Sequence, residues 1–92
     1  VRLTERRLLK VNDEILRLRR EEELAEGELG FHRHLADDAI RDAVVSDLPV
    51  DRADARETAK DVARLQAALE SVRESIRRLE AKRDRLIDNL QD

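Results

Sequence analysis

A single proline divides this chain into two halves that carry the same repeat, and that arrangement limits the fold more than any other feature. In the first half Leu8, Val11, Ile15, Leu18, Glu22, Ala25, Leu29, His32, Ala36, Ala39 and Ala43 fall alternately three and four residues apart without a slip. The second half continues the pattern through Ala55, Thr58, Val62, Leu65, Leu69, Val72, Ile76, Leu79, Arg83, Leu86 and Leu90. A mean spacing of about 3.5 residues is that of the a and d positions of a heptad, which winds helices into a left-handed supercoil. Pro49 lacks a backbone N–H and cannot continue a helix interior, so the chain turns there. The expected fold is all-α, an antiparallel two-helix coiled-coil hairpin forming one domain over residues 1–92. Helix 1 is expected over about 2–46, with glycines that admit a bend at 27–30, then a turn over 47–51 and helix 2 over about 52–90. Asp51 is the natural N-cap of the second helix, with Asp54 in its first turn at the positive end of the helix dipole.

The facing of the two seams is open to a shift of one heptad. The preferred alignment sets Ala36 against Leu65, Ala39 against Val62 and His32 against Leu69, so that small residues meet large ones. The alternative brings Ala36 to Thr58. Either one places Arg19 near Glu80 and Glu26 near Arg73 along one flank, where exposed ion pairs select an alignment more than they stabilise it. Glu22, His32 and Arg83 are polar intruders on the seams, and such residues commonly fix register or oligomeric state.

On a two-helix pair the b and c positions of the heptad face away from the partner, yet in helix 1 they hold Leu3, Leu9, Leu16, Leu24 and Phe31. Helix 2 carries no such stripe. Each of these side chains gains roughly 1.5–3 kcal/mol on full burial, so a covering partner is expected. A second copy of the chain is the economical one, pairing two hairpins into a four-helix bundle in which the first helices meet across a two-fold axis. Gly27 and Gly30 lie beside this stripe, and each costs up to ~1 kcal/mol against alanine inside a helix. They mark a close approach of a partner helix, with Phe31 filling the adjacent space. A joint or ligand contact is the other reading.

With 92 residues, no cysteine, 45% charged residues and a net charge of −3 spread along the chain, disulfides and thiolate metal sites are excluded, and there is no single-sign field to attract nucleic acid. The absence of a membrane-length apolar run and of a signal-peptide apolar segment points to a cytoplasmic protein. His32 and His34 project from different faces, so no three or four ligands converge and neither a metal nor another cofactor is expected. Thr4, Ser46, Thr58, Ser71 and Ser75 have no recognisable base and orienting group, so an enzyme is not expected. A small-ligand sensor at the glycine and histidine region, with Arg33 and Arg41 binding anionic groups, is a further reading.

The turn reads "DLPVDRADARE" and is ringed by Asp37, Asp38, Asp42, Asp47, Asp51 and Asp54. The run Asp47, Pro49, Val50, Asp51, Arg52, Ala53 resembles the coiled-coil tip of the DksA/TraR regulators, whose hairpin enters the secondary channel of RNA polymerase; Gre-like factors are similar in using an acidic hairpin tip. The resemblance covers about seven residues, needs Leu48 as an insertion, and lacks the family's zinc-binding globular part. It implies that Asp47, Asp51 and Ala53, with Asp54 beside them, act at the polymerase. Two expectations result: a non-enzymatic coiled-coil protein that homodimerises and binds a protein partner, or a transcription regulator contacting RNA polymerase through its tip, in either case without direct nucleic-acid or membrane binding.

Overall fold

The computed structural model describes residues 2–91 and contains two helices, α1 (Leu3–Ser46) and α2 (Pro49–Gln91), with no strand among the described residues. The chain is an all-α helical hairpin. Its contacts divide it into two units, each made of one segment of either helix: unit 1 joins 1–23 to 70–92, and unit 2 comprises 24–69 with the turn.

In unit 1 the buried side chains Val11, Ile15 and Leu86 form a core against which Leu8 and Leu79 pack. Its flank is closed by two ion pairs between the helices, Arg19 to Glu80 at 3.1 Å and Arg73 to Glu22 at 3.1 Å. As α1 advances from 19 to 22 its partner on α2 retreats from 80 to 73, which shows the antiparallel sense. Unit 2 repeats the design with Leu29, Leu65 and Leu69, flanked by Ala25 and Val62. Arg33 donates to the Gln66 side-chain carbonyl at 3.4 Å.

Among the described residues the nine that are buried, Val11, Ile15, Leu18, Leu29, Ala36, Leu65, Leu69, Ile76 and Leu86, all belong to the two heptad seams. The remaining seam positions are half-buried, apart from the exposed Leu90. No polar side chain is fully buried among the described residues, so the stabilising term is aliphatic burial along the seams. Local pairs such as Arg17 with Glu14 and Arg77 with Glu74 decorate the exposed faces. Hydrogen bonds from Arg17 and Arg77 hold the Glu14 and Glu74 carboxyls below their ordinary value. The support they lend is present above the ordinary glutamate value and lost as the pH falls through the lowered ones, and their contact with solvent keeps it small.

The turn departs from expectation in two ways. It consists of Asp47 and Leu48 alone, and α2 starts at Pro49 instead of about residue 52. Proline at the first helical position loses nothing, because its missing N–H has no partner there in any case. The first bond of α2 runs from the Arg52 N–H to the Leu48 carbonyl at 3.1 Å, so Leu48 holds the N-cap position and Asp51 lies in the first turn. Asp51 accepts a hydrogen bond from Ser46 Oγ, tying the end of α1 to the start of α2.

The shorter turn also decides the facing of the seams. Leu65 and Leu69 pack with Leu29, and Ala36, although buried, stands outside that cluster. Removing residues from the connection pairs a given residue of α2 with one nearer the start of α1. The alternative alignment, which sets Leu29 against Leu65, Ala25 against Leu69 and Ile15 against Leu79, is the one whose members share the two cores. The preference for Ala36 opposite Leu65 is therefore corrected.

Asp47 has φ of 53°, in the left-handed region. Aspartate tolerates that region better than most residues, and here its N–H still reaches the Ala43 carbonyl at 3.1 Å, closing α1. The Arg52 guanidinium donates to the Asp47 carbonyl at 2.8 Å and to its carboxylate at 2.7 Å. Asp47→Ala is expected to cost ~1 kcal/mol, because it combines a Cβ in the left-handed region with loss of the carboxylate contact. Asp47→Gly loses the same contact but not the conformational freedom, and should be the more stable of the two in urea unfolding followed by circular dichroism.

Candidate functional site

The outward b and c positions of α1 are bare in both units. In unit 1 Leu3, Leu9 and Leu16 are exposed; in unit 2 Leu24 and Phe31 are, with Leu24 at 75%. Their exposure follows from the heptad itself: once a and d are committed to α2, side chains one and two positions after each a point away from it. On α2 the exposed large apolar residues are Val50 at its start and Ile87 and Leu90 near its end, which form no comparable series.

Gly27 and Gly30 sit within an uninterrupted helix, and neither adopts a positive φ. A methyl group added at either one would find nothing within 4 Å. Neither glycine is therefore required by a turn or by close packing inside the chain. Gly27→Ala with Gly30→Ala should raise helix stability by up to ~1 kcal/mol per site in a hairpin whose outer face stays bare. If a partner helix approaches there, the same pair should weaken association; thermal unfolding and light scattering on one sample separate the two effects.

The polar seam residues find partners or half-burial. Glu22 receives the Arg73 hydrogen bond within unit 1, and Arg83 lies 3.3 Å from Asp84. His32, half-buried, meets the Phe31 ring edge-on with centroids 5.6 Å apart. Among the described residues no group of three or more His, Asp or Glu side chains is placed to hold a metal ion. Two surface depressions of unit 1 are lined by Lys82, Arg85, Leu86, Asp88 and Asn89 and by Arg19, Glu22, Arg73, Ile76, Arg77 and Glu80. No described helix is long and apolar enough to cross a membrane.

At the turn the aspartates are less alike than the sequence suggests. Asp47 is held by Arg52, Asp51 by Ser46 and Asp38 by Arg41, whereas Asp42 and Asp54 make no side-chain ion pair among the described residues. The Asp54 carbonyl, together with that of Ala55, accepts from the Thr58 hydroxyl. Ala53 and Asp54 are exposed on the first turns of α2. Between these charges lies an apolar group that the sequence reading passed over: Val44, Val45, Leu48 and Val50 are all exposed, Val45 at 86%. The signal was available, since counting the heptad on to the end of α1 gives Val44 and Val45 the same b and c positions as Leu9, Leu16, Leu24 and Phe31.

No family model, curated protein or solved structure matches this chain.

Proposed function

We propose that this chain is a non-enzymatic coiled-coil interaction protein that homodimerises through the outer face of α1 and offers its turn to a protein partner. The observation that carries the reading is the exposure of Leu3, Leu9, Leu16, Leu24 and Phe31, each at 54–75%, on a helix whose inner seam is already satisfied. Side chains worth roughly 1.5–3 kcal/mol each on burial give association a driving force that the charged faces lack. The open space around Gly27 and Gly30 is compatible with a helix packing closely at that level. Light scattering at micromolar concentration is expected to give twice the chain mass. A soluble monomer at that concentration would assign the face to a different protein.

The exposed turn supports a second reading, a transcription regulator contacting RNA polymerase through Asp47, Asp51, Ala53 and Asp54. Leu48 and Val50 are open to a partner beside Ala53 and Asp54. The clasp formed by Arg52, Asp47, Ser46 and Asp51 gives that tip a fixed shape before any partner arrives. Ala53→Thr lies outside the clasp and should leave helicity and mass unchanged while altering promoter output with purified polymerase. A polymerase that neither binds the protein nor changes output when it is added in excess removes this reading.

A further inference from the structure

The two ends of α1, with the residues that adjoin them, differ in charge. Residues 2–10 hold Arg2, Arg6, Arg7 and Lys10 against the single acid Glu5, whereas 37–47 hold Asp37, Asp38, Asp42 and Asp47 against the single base Arg41. Among the described residues Arg6, Arg7, Lys10, Asp37 and Asp42 form no ion pair. The apolar outer positions are distributed about Leu24 in a matching way. Leu3 stands 21 residues before it and Val45 21 after, Lys10 stands 14 before and Asp38 14 after, and Leu16 and Phe31 are eight before and seven after.

We infer that the second copy lies antiparallel on α1, centred on Leu24, so that the basic start of one helix meets the acidic end of the other. This deepens the dimer reading above and rests on it. Reversing α1 about Leu24 sets Leu3 on the partner's Val45, Lys10 on the partner's Asp38 and Leu24 on the partner's Leu24, and leaves Leu16 one residue from the level of the partner's Phe31. Leu3, Leu16 and Leu24 thus meet or neighbour large apolar side chains, and Arg6 and Lys10 face the partner's Asp42 and the partner's Asp38, while Arg7 faces the partner's Arg41. A two-fold axis makes every such contact away from the axis occur twice, so a modest complementarity counts double. The parallel arrangement superposes each residue on itself and opposes Arg2, Arg6, Arg7 and Lys10 to their own copies, a like-charge juxtaposition that selects against it. The inference also gives Val45 a role that the turn alone does not. Gly27 and Gly30, with nothing within 4 Å of their missing side chains, lie within two turns of the centre, where the two backbones come closest.

The chain has no cysteine, so introduced ones report without interference. Leu3→Cys mixed with Val45→Cys should give a disulfide-linked dimer under mild oxidation, and Leu3→Cys alone should not. Charge reversal tests the same pairing without crosslinking: Lys10→Glu and Asp38→Lys should each weaken the dimer by about tenfold, and their combination in one chain should recover most of the loss. Raising salt should weaken association in the wild type and less so in Lys10→Glu. Crosslinking of Leu3→Cys with itself overturns the orientation while leaving the dimer intact. A dimer in which neither sample crosslinks overturns it as well. A monomeric wild type in sedimentation removes the dimer reading, and this inference with it.

Discussion

Leu16→Glu combined with Leu24→Glu is expected to convert the proposed dimer into a folded monomer. Both residues are more than half exposed in the single chain, at 54% and 75%, so neither substitution disturbs a contact inside the hairpin. In the dimer each carboxylate would be carried into an apolar strip, at a cost that rises with the loss of hydration, and symmetry imposes it on both copies. The loss of two leucine contacts from each chain adds roughly 1.5–3 kcal/mol per side chain. Circular dichroism should still show a predominantly helical chain, because the a and d seams remain whole. Loss of helicity along with mass would mean that α1 cannot hold its shape without the second copy.

Leu29→Ala should produce the largest loss of stability within the hairpin. Leu29 is 3% exposed and joins Leu65 and Leu69 in the core of unit 2. Truncating a buried leucine costs about 2–5 kcal/mol, and with only Ala25 and Val62 packed beside it the site has little material to fill the gap. The counterpart Leu35→Ala, at an exposed position of the same helix, should cost less than ~1 kcal/mol. Urea unfolding of the two variants checks the contrast.

The seams were legible because a period of about 3.5 residues leaves no other way to bury Val11, Ile15, Leu18, Leu29, Leu65, Leu69, Ile76 and Leu86 together. Arg19 with Glu80 could be foreseen for the same reason, since residues following the d position share a flank. The turn was less legible. Proline is barred from a helix interior but favoured at its first position, and the pattern alone does not say which applies. The left-handed Asp47 and its clasp by Arg52 depend on that choice, and the heptad shift follows from it. The acidic ring likewise read as six equivalent charges, whereas three of them are engaged by Arg41, Arg52 and Ser46. The exposed Val44, Val45, Leu48 and Val50 became visible as a group only with the turn in place.

The central claim is that the outer face of α1 is completed by a second copy of the chain. A protein that folds as a dimer is stabilised by mass action, so its thermal midpoint depends on concentration, while that of a lone hairpin does not. Thermal unfolding followed by circular dichroism at about 1 μM and about 100 μM, on either side of the micromolar affinities expected for an exposed apolar face, tests this directly. The account predicts a clearly higher midpoint in the concentrated sample, a difference that disappears in the Leu16→Glu, Leu24→Glu variant. Equal midpoints for the wild type at the two concentrations would contradict it.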